Sequence, residues 1–167
     1  VSAALTDWYP AYVGLGSNLG KPRRHLESAL DRLAALENTR LVRCSSYYRS
    51  APFGGVEQPD FVNAVAALLT QIGPAELLGA LLAIEQLHGR TRDGVRWGPR
   101  TLDLDLLAHG SSHIDEPGLT LPHPGIAERN FVLLPLQEIA PELELPGLGR
   151  VASLPVDWEH PRISRIE

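Results

Sequence analysis

The chain has 167 residues, 44% of them hydrophobic and 21% charged, which suits one compact domain with a real core. No apolar run reaches spanning length and no basic segment precedes an apolar stretch, so neither a membrane-spanning helix nor a secretory signal is expected. A net charge of −5 argues against nucleic-acid binding, and the single Cys44 predicts no internal disulfide and a reducing, cytoplasmic setting. The sequence contains no Met, so Val1 is not expected to be the translated start. Lys21 is the only lysine; the other fourteen cations are arginines, the side chain that grips phosphates in a planar fork.

In chain order, residues 11–16 (AYVGLG) read as a strand entering a glycine turn. Pro22 suits a first helical turn, and Leu26, Leu30, Leu33 and Leu36 recur at helical spacing, predicting a helix over 22–37. Residues 40–50 look like a strand, 51–60 (APFGGVEQPD) a loop, and 61–70 (FVNAVAALLT) another strand. Pro74 opens a second helix that Gly89 ends. A polar loop over 90–100 leads into a strand over 101–110, and 119–143 opens with Pro122 and Pro124 ahead of a short helical segment. The last eighteen residues are Pro-interrupted and weakly patterned. The order strand, helix, strand, strand, helix, strand predicts an α+β fold. The form expected is a ferredoxin-like sandwich with a largely antiparallel sheet flanked by helices. One domain is expected over 1–167, with a core at about 11–145 and a C-terminal extension at 146–167.

The chemistry concentrates in TLDLDLL. Alternate residues of a strand share a face, so Asp103 and Asp105 point together while Leu102, Leu104 and Leu106 point into the core. Two adjacent carboxylates either take up a divalent cation, for which oxygen ligands suit Mg²⁺, or form a solvated strand face. The loop before them holds Arg90, Arg92, Arg96 and Arg100 against a single Asp93. Arginines beside paired acids suit a metal–polyphosphate ligand, and Gly89, Gly94 and Gly98 would let the loop close over it. Trp97 is either a lid for a base or ring, or a packing residue.

Glu85 falls inside the apolar stripe of the second helix, in a last turn where the helix dipole disfavours negative charge. Either a buried partner holds it, such as an Arg or a metal-bound water, or the helix end frays into solvent. His123 and Arg129 lie close together, His123 either contacting a phosphate or quietly ending a strand. Zinc is disfavoured: His109 and His113 make only a loose pair. Phe61 and Phe131 are either core residues or a clamp for a flat heterocycle, and Asn63 shares the strand face of Phe61 with an amide able to donate and accept.

Three stretches carry a resemblance: QPDFVNAV (58–65), GRTRDGVRWGPRTLDLDLL (89–107) and LPHPGIAERNFVLLPLQEIAPEL (121–143). Together with GLGSNLG they resemble the 6-hydroxymethyl-7,8-dihydropterin pyrophosphokinase family over roughly residues 11–145, the RWGPRTLDLDLL block being highly specific. The resemblance implies transfer of pyrophosphate from ATP to the hydroxymethyl group of a reduced pterin, releasing AMP, in folate synthesis. It implies two Mg²⁺ ions on Asp103 and Asp105 and triphosphate contacts from Arg90, Arg92, Arg100, His123 and Arg129. Trp97 and Glu85 join the ATP site. Phe61 and Phe131 sandwich the pterin, Asn63 bonds its edge, and the backbone from Ser50 through Ala51 to Phe53 lines that pocket. A cytoplasmic monomer is expected, with ATP and 6-hydroxymethyl-7,8-dihydropterin as its partners and neither nucleic acid nor membrane. Phe61 stands where some members carry Tyr, Pro124 where some carry an aromatic, and Leu82 where some carry Gln.

Three rival readings remain in play. Gly14, Gly16 and Gly20 fit a longer G-x-G-x-x-x-G dinucleotide variant, which suggests an NADP oxidoreductase. The short chain and the lack of crossover helices after residue 50 oppose it, so the stretch is taken as a turn ending an edge of the active-site sheet, Ser17 and Asn18 bordering the pterin pocket. A metal-dependent glycosyltransferase lacks room for a nucleotide-sugar domain. A ferredoxin-like regulatory module has no need of paired acids beside an arginine loop.

Overall fold

A computed structural model describes residues 7–52, 57–89 and 101–166. β1 (Tyr9–Ser17) runs antiparallel between β4 (Phe61–Thr70) and β5 (Asp103–His109). β4 also pairs antiparallel with β2 (Thr39–Cys44) and with β3 (Tyr47–Ser50), and β3 pairs with β10 (Ile163–Ile166). The main sheet therefore runs β10-β3-β4-β1-β5, with β2 on β4 beside β3. With α1 (Pro22–Ala34) after β1 and α2 (Pro74–Leu87) after β4, this is the expected ferredoxin-like sandwich.

Two cores sandwich the sheet. Leu15, Ala64, Leu68, Leu104 and Leu106 face α1 and α2, which contribute Leu26, Ala29, Leu33, Leu77 and Leu81. Val65, Leu107 and Ala108 face the other way, onto α3 (Asn130–Ile139) through Val132, Leu133 and Leu136. Removing Leu33 to Ala in the first core would cost about 2–5 kcal/mol. The site described below lies on the α3 face.

Each helix start follows local chemistry. Pro22 and Pro74 occupy first-turn positions, where a missing N–H costs nothing, and Glu76 complements the dipole of α2. Gly89 takes φ +76 just beyond α2, as a helix-ending glycine does.

Several boundaries differ from expectation. α1 stops at Ala34 rather than at residue 37, since the chain must reach Asn38, at φ 54, to turn into β2. The strand expected over 40–50 is two strands. Between them the Ser45 hydroxyl accepts from the Val65 amide at 2.9 Å and donates to the Ser46 carbonyl at 2.8 Å. That side chain competes with the backbone ladder and breaks the run. Gly14 and Gly16 lie inside β1 rather than in a turn, and β1 is an interior strand, not an edge. The tail holds a small hairpin, β8 (Glu144–Leu145) with β9 (Gly149–Arg150), and the edge strand β10, none of which its patterning announces. Glu138 of α3 ties this edge down. It accepts from the Tyr48 hydroxyl at 2.7 Å and from the Ser46 amide and hydroxyl, and pairs with Arg165 at 3.2 Å.

Candidate active site

The paired acids stand as the alternation requires. Asp103 and Asp105 are half-buried on the α3 face of β5, while Leu104 and Leu106 are buried on the other. Their cross-strand partners on β1 are Gly16 and Gly14. Neither partner carries a side chain, and both glycines lie within the strand rather than in a dinucleotide turn.

β7 (Leu119–Leu121), paired antiparallel with β6 (Ile114–Glu116), delivers His123 to the same place. Its amide donates to the Leu107 carbonyl at 2.9 Å, which ties it to β5. His123 Nδ1 accepts from the Gly125 amide at 2.9 Å, so in the neutral ring the proton sits on Nε2. Nε2 lies 4.0 Å from Asp105 Oδ1. Burial, and then the Arg129 charge, push the His123 pKa down to about 4, with Asp103 opposing. The imidazole is therefore a neutral donor at physiological pH. Arg129 is the N-cap just before α3, and its Nε lies 2.7 Å from where a Cβ on residue 125 would stand, so Gly125 leaves room for the side chain. The structure thus brings together Asp103, Asp105, His123 and Arg129.

A second group adjoins them along the sheet. Gly16 is the cross-strand partner of both Asp103 and Asn63, so Asp103, Gly16 and Asn63 form one row over three strands. Phe61 precedes Asn63 on the same face, half-buried, and Phe131 is half-buried in the first turn of α3, which covers that face. Ser50, the partner of Phe61, is buried and accepts from Asn63 Nδ2 at 2.8 Å. Ala51 follows, its amide donating to the Arg162 carbonyl. Asn18 is buried and donates to Gln58 Oε1 and the Pro59 carbonyl, joining the end of β1 to the segment entering β4.

Glu85 is 2% exposed, so the frayed helix end is excluded. Its Oε2 accepts from the Leu104 amide at 2.8 Å. Among the described residues β5 is the sheet edge, so the outward N–H of Leu104 takes this side-chain acceptor in place of a strand partner. His109 is buried and its Nε2 bonds the Ile72 carbonyl, so it forms no ligand pair with His113. Arg90, Arg92, Trp97, Arg100 and Phe53 lie outside the described residues. Among the described residues no three His, Cys, Asp or Glu side chains gather as a metal-binding group. Sequence reading missed Ser50 as a side-chain partner of Asn63 and Gly125 as the anchor of the His123 ring. Nothing in a serine or glycine alone signals either contact.

Residues 12–141 match the family model described as 7,8-dihydro-6-hydroxymethylpterin-pyrophosphokinase (HPPK). The chain belongs to this family. Among curated HPPK relatives, the 2-amino-4-hydroxy-6-hydroxymethyldihydropteridine pyrophosphokinase of Pseudomonas aeruginosa is 53% identical over 135 residues, covering 81% of this chain and 83% of its own. The protein of the same name from Haemophilus influenzae is 49% identical over 144 residues, covering 86% and 89%. Among solved structures, the wild-type HPPK-DHPS of Plasmodium falciparum with SDX-DHP superposes with a TM-score of 0.71 over 90% of this chain at 15% identity. At that identity the likeness speaks for the fold alone. The chain spans 45% of that longer HPPK-DHPS protein, under half its length.

Proposed function

We infer that this chain transfers pyrophosphate from ATP to 6-hydroxymethyl-7,8-dihydropterin, releasing AMP, in folate biosynthesis. The observation that carries the reading is the family match over residues 12–141 together with Asp103 and Asp105 side by side on β5, next to His123 and Arg129.

The residues present fit magnesium. Both donors are carboxylates, both are half-buried on one face, and both look across to glycines. Mg²⁺ is commonly held by one or two carboxylates plus waters and substrate phosphates, so a two-acid set suffices. Asp103 and Asp105 would hold two ions between ATP and the pterin. Such ions neutralise β- and γ-phosphate oxygens and favour ionisation of the attacking hydroxyl.

The protein's own part is mainly positioning, as in most phosphoryl-type transfers. Phe61 and Phe131 clamp the pterin, Asn63 bonds its edge, and Ser50, Ala51 and Phe53 line the pocket. His123 donates from Nε2 to the triphosphate, and Arg129 adds charge, with Arg90, Arg92 and Arg100 from the preceding loop. Trp97 borders the nucleotide, and Glu85, buried on α2, supports β5 through the Leu104 amide. The pterin hydroxyl oxygen attacks the β-phosphorus, a new O–P bond forms, and the bond from that phosphorus to the α,β-bridging oxygen breaks. AMP leaves with the bond's electron pair, and Asp105 receives the hydroxyl proton. The chain acts as one domain and as a monomer, and the lone Cys44 thiol suits the cytoplasm.

The test is one assay: AMP release from ATP, with and without hydroxymethyl-dihydropterin, over a magnesium titration. Release that requires both pterin and magnesium is expected. Release without pterin, or none at any magnesium concentration, overturns the reading.

A further inference from the structure

Asn63 sits in the middle of the sheet, and among the described residues its side chain is held from the β3 side. Nδ2 donates to Ser50 Oγ at 2.8 Å, Ser50 being 2% exposed and Asn63 6% exposed. With Nδ2 turned to β3, the carbonyl Oδ1 turns the other way. It lies 3.2 Å from where a Cβ on Gly16 would stand, over the strand that separates Asn63 from Asp103. The amide thus presents an acceptor toward the acids, over a residue with no side chain to cover it.

We propose that Ser50 is the positioning residue of the pterin pocket: its hydroxyl fixes the Asn63 amide so that Oδ1 faces the N–H edge of the heterocycle. This deepens the functional reading above and rests on it. An amide rotates about its last side-chain bond with little intrinsic preference, so its direction is set by its partners. Removing the hydroxyl leaves a buried NH₂ unpaired, a loss the amide relieves by turning away from the productive direction. Preorganisation of this kind acts on ligand affinity through Asn63, and Ser50 itself need not touch the ligand.

Two measurements on the intact chain test it. The first needs no ligand: the Asn63 side-chain NH₂ protons exchange slowly in the native protein and at least about tenfold faster in Ser50→Ala, the factor expected from one net hydrogen bond. Unchanged exchange overturns the contact. The second is a double-mutant cycle read by binding of hydroxymethyl-dihydropterin with a non-hydrolysable ATP analogue and magnesium. Ser50→Ala weakens pterin binding about tenfold and leaves the analogue's affinity within about twofold. In an Asn63→Ala background it costs nothing further, and Ser50→Thr restores binding by returning a hydroxyl. Losses that multiply, or a Thr variant as weak as Ala, overturn the proposal; a merely structural Ser50 would instead weaken both ligands together. If Ser50→Ala does not fold, Ser50→Cys, whose thiol is a poor acceptor, takes its place with the same expectations. Native protein that binds the ATP analogue but no pterin sinks the pterin reading, while the exchange result still decides the Ser50–Asn63 contact.

Discussion

His123 Nε2 stands 4.0 Å from Asp105 Oδ1, and its other nitrogen is occupied by the Gly125 amide. A ring held this way is kept neutral, with its one proton aimed at the acid pair. The folded protein resists protonating it until about pH 4, whereas in the unfolded chain it titrates near its ordinary value of 6.5. Above pH 6.5 both states are neutral and the residue adds no pH dependence. As pH falls from 6.5 toward 4, the unfolded state takes up a proton the folded state refuses, and stability is lost; below 4 the loss levels off. Urea denaturation of the metal-free protein across this range should show that decline, at most about 3 kcal/mol. His123→Gln should flatten it.

The acid pair makes a sharper expectation. Asp105→Ala should lower kcat by at least about 100-fold, the scale of losing one electrostatic contact to developing charge. Pterin affinity in the same variant should change far less, since Asn63 and the rings lie beyond Gly16 in the row. Near-native turnover, measured as AMP release, would remove Asp105 from the metal assignment.

Much of this site is legible in the sequence because it depends on alternation. Leu102 to Leu106 spell out which way β5 faces, and the same period places Phe61 with Asn63. The helices are legible for the same reason, through their prolines, Gly89 and leucine spacing. What the sequence hides is set by tertiary partners. The break at Ser45 needs Val65 opposite it, the burial of Glu85 needs the open amide of Leu104, and β10 needs β3 as its template. None of these pairs is local, so no window of residues contains the signal.

The glycines of β1 separate the two readings of the opening stretch. Gly16→Ala would place a Cβ 3.2 Å from Asn63 Oδ1, closer than most real contacts, and should weaken pterin binding by several-fold. Gly14→Ala meets only Leu107, at an ordinary 3.6 Å, and should bind pterin as the native protein does. Isothermal titration of both variants distinguishes a pocket wall at 16 from a phosphate turn, where both changes would act on the nucleotide.

Glu85 joins stability to the site. Its carboxylate is buried and accepts the outward amide of Leu104, the residue between the two aspartates. Glu85→Ala removes the acceptor and leaves that N–H unpaired beside a cavity, a loss of about 1–3 kcal/mol for the hydrogen bond alone. Glu85→Gln keeps a carbonyl in place and should recover at least half of the lost stability. Because β5 is the edge strand among the described residues, the loss should appear locally before the fold fails. Amide exchange at Asp103–Asp105 should quicken in Glu85→Ala while that of β4, paired on both sides, stays protected. Equal acceleration on β4 and β5 would instead mean that Glu85 supports the whole sheet rather than the strand that carries the acids.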